Sequence, residues 1–239
     1  MNSLLKVFWN LMFSLTGRDF SFDAEYKDFS FFGIELRAKY EEVKCFLAAR
    51  QLVPKESAPG ETRLQIVGCE MRKVRIAGSY NEVAIQVPVG PLEDSPGDKF
   101  AHLFLPVTTE AARWPGVDIY GFPKFIADID IAKEEDEIVC RLAADGEQVL
   151  EFGMPDKTGP KKQAKWEFYG NRKKQIVKVV FDWEGYFGEE TGGDVRFTLG
   201  KHPITETIGR LLISDEVART SIGRKVSGIL RKPIPIKNQ

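Results

Sequence analysis

The chain has 239 residues, 34 basic and 35 acidic side chains, a formal net charge of −1 and 43% hydrophobic residues. That is the profile of an ordinary globular protein, and its charge balance gives no basis for a nucleic-acid partner. Cys45, Cys69 and Cys140 form no Cys-x-x-Cys pair, which argues against a disulfide framework and for a reducing, cytoplasmic setting. The two histidines, His102 and His202, lie far apart, no metal-ligand spacing is present and no glycine-rich phosphate loop occurs.

Residues 1–16 are heavily apolar, and Asn2, Lys6, Asn10 and Ser14 fall every fourth position and form one narrow polar stripe on a helix. The run is shorter than a membrane span of about 18 residues and lacks the basic start and cleavage site of a signal peptide. It is read as an N-terminal helix, ending at Gly17, buried against the body or a neighbouring subunit. The alternative is a helix lying in a membrane interface.

A strand is expected over 29–40 and a helix over 40–50, where Val43, Phe46 and Leu47 share a side. After a loop rich in Pro, Ser and Gly at 54–60, strands are expected at 62–76 and 80–89. In the latter, Val83, Ile85 and Val87 share one face and Glu82, Ala84 and Gln86 the other. Glu82 therefore points either into a polar interior or to solvent, according to what covers the apolar face. A turn-rich stretch at 90–98 leads to a strand at 100–107 carrying His102, read as a core histidine or a catalytic one.

The stretch Tyr120-Gly-Phe-Pro-Lys124 then runs into the apolar strand of Phe125-Ile-Ala-Asp-Ile-Asp-Ile131. Lysine is rarely buried unpaired. Between Phe122 and Phe125 its amine could be held in apolar surroundings that disfavour the ammonium, and a neutral lysine can form a Schiff base with a carbonyl. The alternative is a lysine that reaches solvent from a strand end.

Further strands are expected at 125–132, 137–143, 147–153, 164–170 and 175–183, with Asp145-Gly146 as a two-residue hairpin turn. A Gly- and Glu-rich loop over 185–194 is read as a lid or assembly contact. A short strand at 196–200 precedes two C-terminal helices over 203–231, the second capped by Ser214 or Asp215 and carrying Val217, Ile222, Val226 and Ile229. Many closely spaced strands without a βαβ rhythm predict an α+β, β-dominated fold: a mainly antiparallel barrel or curved sheet with peripheral helices, in a single domain over 1–239.

Four stretches together resemble the acetoacetate decarboxylase family and its wider superfamily of Schiff-base enzymes. They are Phe31-Phe-Gly-Ile34 with its strand, Gly78-Ser-Tyr-Asn-Glu82, Phe100-Ala-His102 and Gly121-Phe-Pro-Lys124. The resemblance covers roughly residues 28–215. It implies a cone-like β-barrel with the lysine inside, assembly into homo-oligomers, and cofactor-free lyase chemistry on a β-keto acid or related carbonyl compound. Lys124 would be the nucleophile and Glu82 the proton shuttle or orienting acid. Gln65, Tyr120, Phe122, Phe125 and Phe29 would line the substrate.

The chain also departs from the family pattern. Phe125 stands where the family has a second lysine, Phe29 where it has an arginine, Gln65 where it has a glutamate, and Val117-Asp118 where it has Arg-Glu. Arg37, Arg113 or His102 are the candidates to replace the missing cation. Decarboxylation is the nearest reaction; aldol or dehydration chemistry through the same iminium, and a non-catalytic barrel that binds a small ligand, are the alternatives.

Overall fold

The computed structural model describes residues 21–48, 51–90 and 97–236. The helix expected over 1–16 and most of the 90–98 turn lie outside them. Among the described residues no helix is long and apolar enough to cross a membrane.

Long strands dominate: β1 (Ala24–Lys39), β2 (Glu61–Val74), β3 (Gly78–Pro88), β4 (Asp98–Val107), β9 (Lys161–Arg172), β10 (Gln175–Thr191) and β12 (Leu212–Leu230). They form one sheet in the order β12-β1-β2-β3-β4-β9-β10, and pairing of β10 with β12 closes it into a ring. Every ring contact is antiparallel except β4–β9, which is parallel. The short β5 (Lys124–Ile126) pairs in parallel with the end of β4, and β13 (Ile234–Pro235) with the start of β10. A second, four-stranded sheet lies outside the ring in the order β11 (Arg196–Leu199), β8 (Glu147–Pro155), β7 (Glu137–Ala144), β6 (Asp128–Glu134). Three helices complete the described chain: α1 (Tyr40–Ala48), α2 (Glu110–Asp118) and α3 (Pro203–Leu211). This is the expected β-dominated barrel with peripheral helices.

Strand alternation divides the interior in two. Phe32, Ile34 and Leu36 of β1, Leu64 and Ile66 of β2 and Val83, Ile85 and Val87 of β3 turn outward. There they form one core with Leu142, Leu150 and Phe152 of the second sheet and Ile208 and Leu211 of α3. Residues of the opposite parity, including Phe29, Phe31, Cys69, Met71, Tyr80, Ala84, Phe181 and Trp183, face into the ring and form a second cluster. The outer sheet is what turns β3 over: with Val83, Ile85 and Val87 covered from outside, Glu82, Ala84 and Gln86 must face the ring interior.

Two expectations are corrected. Of the C-terminal helices over 203–231, only α3 is helical, and 212–230 form β12. Ile222 and Val226 are four apart, a spacing that is one helical turn and also an even step along a strand, so both stay on one face either way. Pairing to β1 on one side and β10 on the other decides for the strand. The expected lid over 185–194 is also strand as far as Thr191, since Tyr186 to Thr191 pair with Arg224 to Arg219 of β12. The Asp145-Gly146 turn is as expected: both residues have positive φ (52° and 80°), as a type I′ turn requires.

Candidate active site

Lys124 is the first residue of β5 and is placed by a compact turn. Thr109 caps α2, its hydroxyl accepting from the Ala112 N–H. At the other end of α2, Gly121 N–H donates to the Val117 carbonyl (3.1 Å) and Phe122 N–H to the Gly116 carbonyl (2.9 Å). Gly121 has φ +68°, and a Cβ there would also strike the Asn171 backbone, so only glycine fits. Asn171 N–H donates to the Gly121 carbonyl (2.9 Å), pinning the turn to the end of β9. Leu105 N–H donates to Pro123 O (3.2 Å), and the β4–β5 ladder then sets Lys124 opposite Leu105.

The amine points into the ring. Lys124 Nζ lies 2.5 Å from Glu82 Oε2, and the two side chains are only 6% and 12% exposed. Nζ also sits 5.5 Å from the centre of the Tyr80 ring. The aliphatic stem of Lys124 crosses Gly116 so closely that a Cβ at Gly116 would overlap it. The Tyr26 and Tyr80 hydroxyls are both pushed up, first by burial and also by the Glu82 carboxylate. Cys69, opposite Glu82 in the β2–β3 ladder, is likewise raised by burial and by Glu82, with Lys124 opposing. Among the described residues no group of three or more His, Cys, Asp or Glu could hold a metal ion.

Lys124 and Glu82 border a cavity of about 1150 Å³ inside the ring. Facing them, β1, β9 and β10 present an aromatic wall in which Phe31, Trp166, Trp183 and Phe187 pack with ring centres 4.8–5.9 Å apart. A Cβ at Gly223 would overlap the Phe31 ring, so the glycine makes room for this wall. The buried indole N–H of Trp183 has no acceptor among the described residues. His102 is buried between Phe168, on which it stacks (4.9 Å), and the edge of Phe122 (5.1 Å).

A polar collar crosses the cavity further along the strands. Gln86 donates to Gln65 (3.0 Å), Gln65 to Glu35 (3.0 Å) and Arg219 to Glu35 (2.9 Å), while Arg63 lies 3.8 Å from Glu35. Around it the exposed side chains of Lys55, Glu56, Asp98, Lys162 and Glu189 form the mouth.

Of the expected site residues, Lys124, Glu82, Phe122, Phe29 and Gln65 all line this cavity. Gln65 belongs to the collar. It is four residues along β2 from Cys69, about 13 Å from the Glu82 level at some 3.3 Å per residue. Tyr120 and Phe125 do not line the cavity. The Tyr120 hydroxyl donates to the Phe22 carbonyl (2.7 Å) beyond α2, and Phe125, next to an inward-facing lysine on a strand, turns out to the core under the second sheet. Nor do Arg37 and Arg113 supply a cavity cation: they pair with Glu61 and Glu110. Sequence reasoning missed Tyr26, Glu35, Cys69, Gly116 and Arg219. Glu35 alone carried a visible signal, as the one charged side chain in the run Phe29–Leu36 of β1, which is otherwise apolar but for Ser30.

The sequence model of the acetoacetate decarboxylase family matches residues 45–221 of the 239, a span that holds Glu82, the Gly-Phe-Pro turn and Lys124. The chain belongs to the acetoacetate decarboxylase family. No curated protein is a significant match.

Among solved structures, acetoacetate decarboxylase from Legionella pneumophila superposes with a TM-score of 0.69 at 16% identity, over 90% of this chain and 87% of that one. An acetoacetate decarboxylase-like enzyme from Sphingomonas wittichii RW1 gives 0.60 at 15% identity, over 92% and 94%. The enduracididine biosynthesis enzyme MppR gives 0.63 at 11% identity, over 92% and 89%. At such identities the likeness to these acetoacetate decarboxylase-type structures is one of fold.

Proposed function

We propose that this family member is a Schiff-base lyase in which Lys124 attacks the keto carbon of a β-keto acid. The observation that carries the reading is the buried contact of 2.5 Å between Lys124 Nζ and Glu82 Oε2, deep in a cavity large enough for a substrate. Transfer of one proton along that contact leaves a neutral amine beside a neutral acid, and the amine lone pair adds to the carbonyl carbon. Glu82 returns the proton to the carbinolamine oxygen, which leaves as water to give the iminium.

The iminium draws in the electron pair of the bond to the carboxylate carbon. CO2 departs, an enamine forms, and protonation at carbon followed by hydrolysis releases the ketone and restores Lys124. Phe29 is buried where the family has an arginine, and a substrate carboxylate beside it meets apolar rings and the Glu82 charge. Both favour its departure as neutral CO2. Gln65 and the rest of the collar orient the part of the substrate nearer the mouth.

The absence of a cation at Phe29 also suits a second reading, condensation of an aldehyde with a keto compound through the same iminium. MppR has been solved with pyruvate and with the condensation product of pyruvate and imidazole 4-carboxaldehyde.

Both readings share the iminium. Borohydride added during turnover should leave a reduced adduct on Lys124, located by peptide mass spectrometry, and Lys124→Ala should abolish it. No adduct across a panel of β-keto acids, α-keto acids and aldehydes would overturn the proposal. Released CO2 separates decarboxylation from condensation.

A further inference from the structure

The cavity is much larger than the chemistry at Lys124 demands. Its volume of about 1150 Å³ exceeds the span of about 300–1,000 Å³ usual for drug-sized ligands, whereas acetoacetate is a handful of heavy atoms. The excess space has a definite character. Lys124 and Glu82 stand on the β3–β5 side, and the wall across from them is aromatic: Phe31, Trp166, Trp183 and Phe187. These side chains are held by contacts among themselves and by the absence of a side chain at Gly223. Beyond the wall the chain of Gln86, Gln65, Glu35 and Arg219 spans four adjacent strands. Among the described lining residues, the lysines and arginines other than Lys124 (Lys55, Arg63, Lys99, Lys162 and Arg219) belong to the collar and mouth, and of these the Lys162 amine reaches over the Phe187 ring of the wall (4.9 Å).

We infer that the substrate carries a large apolar substituent, an aromatic ring or a medium-length alkyl chain, on the carbonyl carbon attacked by Lys124. This inference rests on the Schiff-base reading and names its substrate class. With the carbonyl at Nζ, the substituent lies along the aromatic wall toward the collar. A small keto acid leaves that wall wetted and gains nothing from it. Each methylene moved from water onto the wall tightens binding about fourfold. A ring adds the offset and edge-on contacts that aromatic pairs favour.

The test separates this inference from the chemistry it rests on. Calorimetric titration of the full-length protein with butanol, hexanol, octanol and benzyl alcohol, none of which can form an iminium, measures the apolar wall alone. Affinity should rise at least tenfold from butanol to octanol. In parallel, acetoacetate, β-ketohexanoate, β-ketodecanoate and benzoylacetate are compared by kcat/KM and by borohydride-trapped adduct on Lys124. The larger acids should exceed acetoacetate by tenfold or more.

Alcohol affinity that does not depend on chain length overturns the inference, whatever Lys124 does. So does turnover of acetoacetate as efficient as that of the larger acids, and then the Schiff-base reading survives. Length-dependent alcohol binding with no adduct from any acid supports the apolar site and removes the Schiff-base reading.

Discussion

The stem of Lys124 lies across the α-carbon of Gly116, so that a methyl group on Gly116 and the lysine stem would occupy the same space. Gly116 sits within α2, where alanine is ordinarily favoured over glycine by about 1 kcal/mol. The atoms an alanine would strike are those of a flexible side chain, not backbone. Gly116→Ala should therefore leave the melting temperature unchanged or slightly raised while swinging Lys124 away from Glu82. Adduct formation on Lys124 should fall by on the order of 100-fold, the scale of an ångström-sized misplacement of a reacting group. A variant that melts much lower, or that traps adduct at the wild-type rate, would refute this account of Gly116.

Glu82→Gln keeps the size and hydrogen-bonding reach of the side chain and removes its capacity to take a proton. The expected loss in kcat is roughly 100- to 10,000-fold, as for other positioned acid–base groups. KM should change little, because the collar and the aromatic wall are untouched. A variant retaining full kcat would assign the proton transfers elsewhere.

Cys69 reports on the same charge. Burial raises its thiol first and the Glu82 carboxylate adds to this. A raised thiol holds less thiolate at any given pH, and the thiolate is the form that reacts. Near the ordinary thiol value of about pH 8.5, iodoacetamide should label exposed Cys45 quickly and Cys69 slowly. Labelling of Cys69 should grow only at higher pH, and Glu82→Gln should speed it at fixed pH. Mass spectrometry of the labelled peptides reads both effects.

Asp156 follows β8 and receives two hydrogen bonds from Arg224 of β12, at 3.1 and 2.6 Å. Burial would raise its carboxyl, but Arg224 and Lys133 outweigh that and hold it below the usual range. A lowered carboxyl contributes stability that is present above its unfolded value and lost as pH falls through the folded one. Asp156→Asn should cost about 1 kcal/mol near neutral pH. The gap should close below about pH 4, as followed by chemical denaturation across pH.

The parts of the site that rest on local pattern were legible in the sequence. Alternation at 82–87 put Glu82, Ala84 and Gln86 on one face, and the Gly-Phe-Pro turn placed Lys124 at a strand mouth. Which way that face pointed was not legible, because it depends on an outer sheet whose strands come more than forty residues later. Glu35 and Arg219 are 184 positions apart, and no periodicity links them. β12 resembled a helix because a spacing of four satisfies both periods. Phe125 adjoins Lys124 in sequence yet lies outside the cavity, because neighbours on a strand face opposite ways.

The Gly121 turn is fastened to Asn171, and a Cβ at Gly170 would strike the Tyr120 carbonyl. Lys124 is thus secured by a strand made well after it. The first ring strand in turn pairs with nearly the last, Ala24 with Leu230. Contacts of such long sequence separation form slowly. During refolding, the burst of carbonyl reactivity at Lys124 should lag behind the appearance of β-structure and mark the moment the ring shuts, which makes the lysine a chemical clock for assembly of its own barrel.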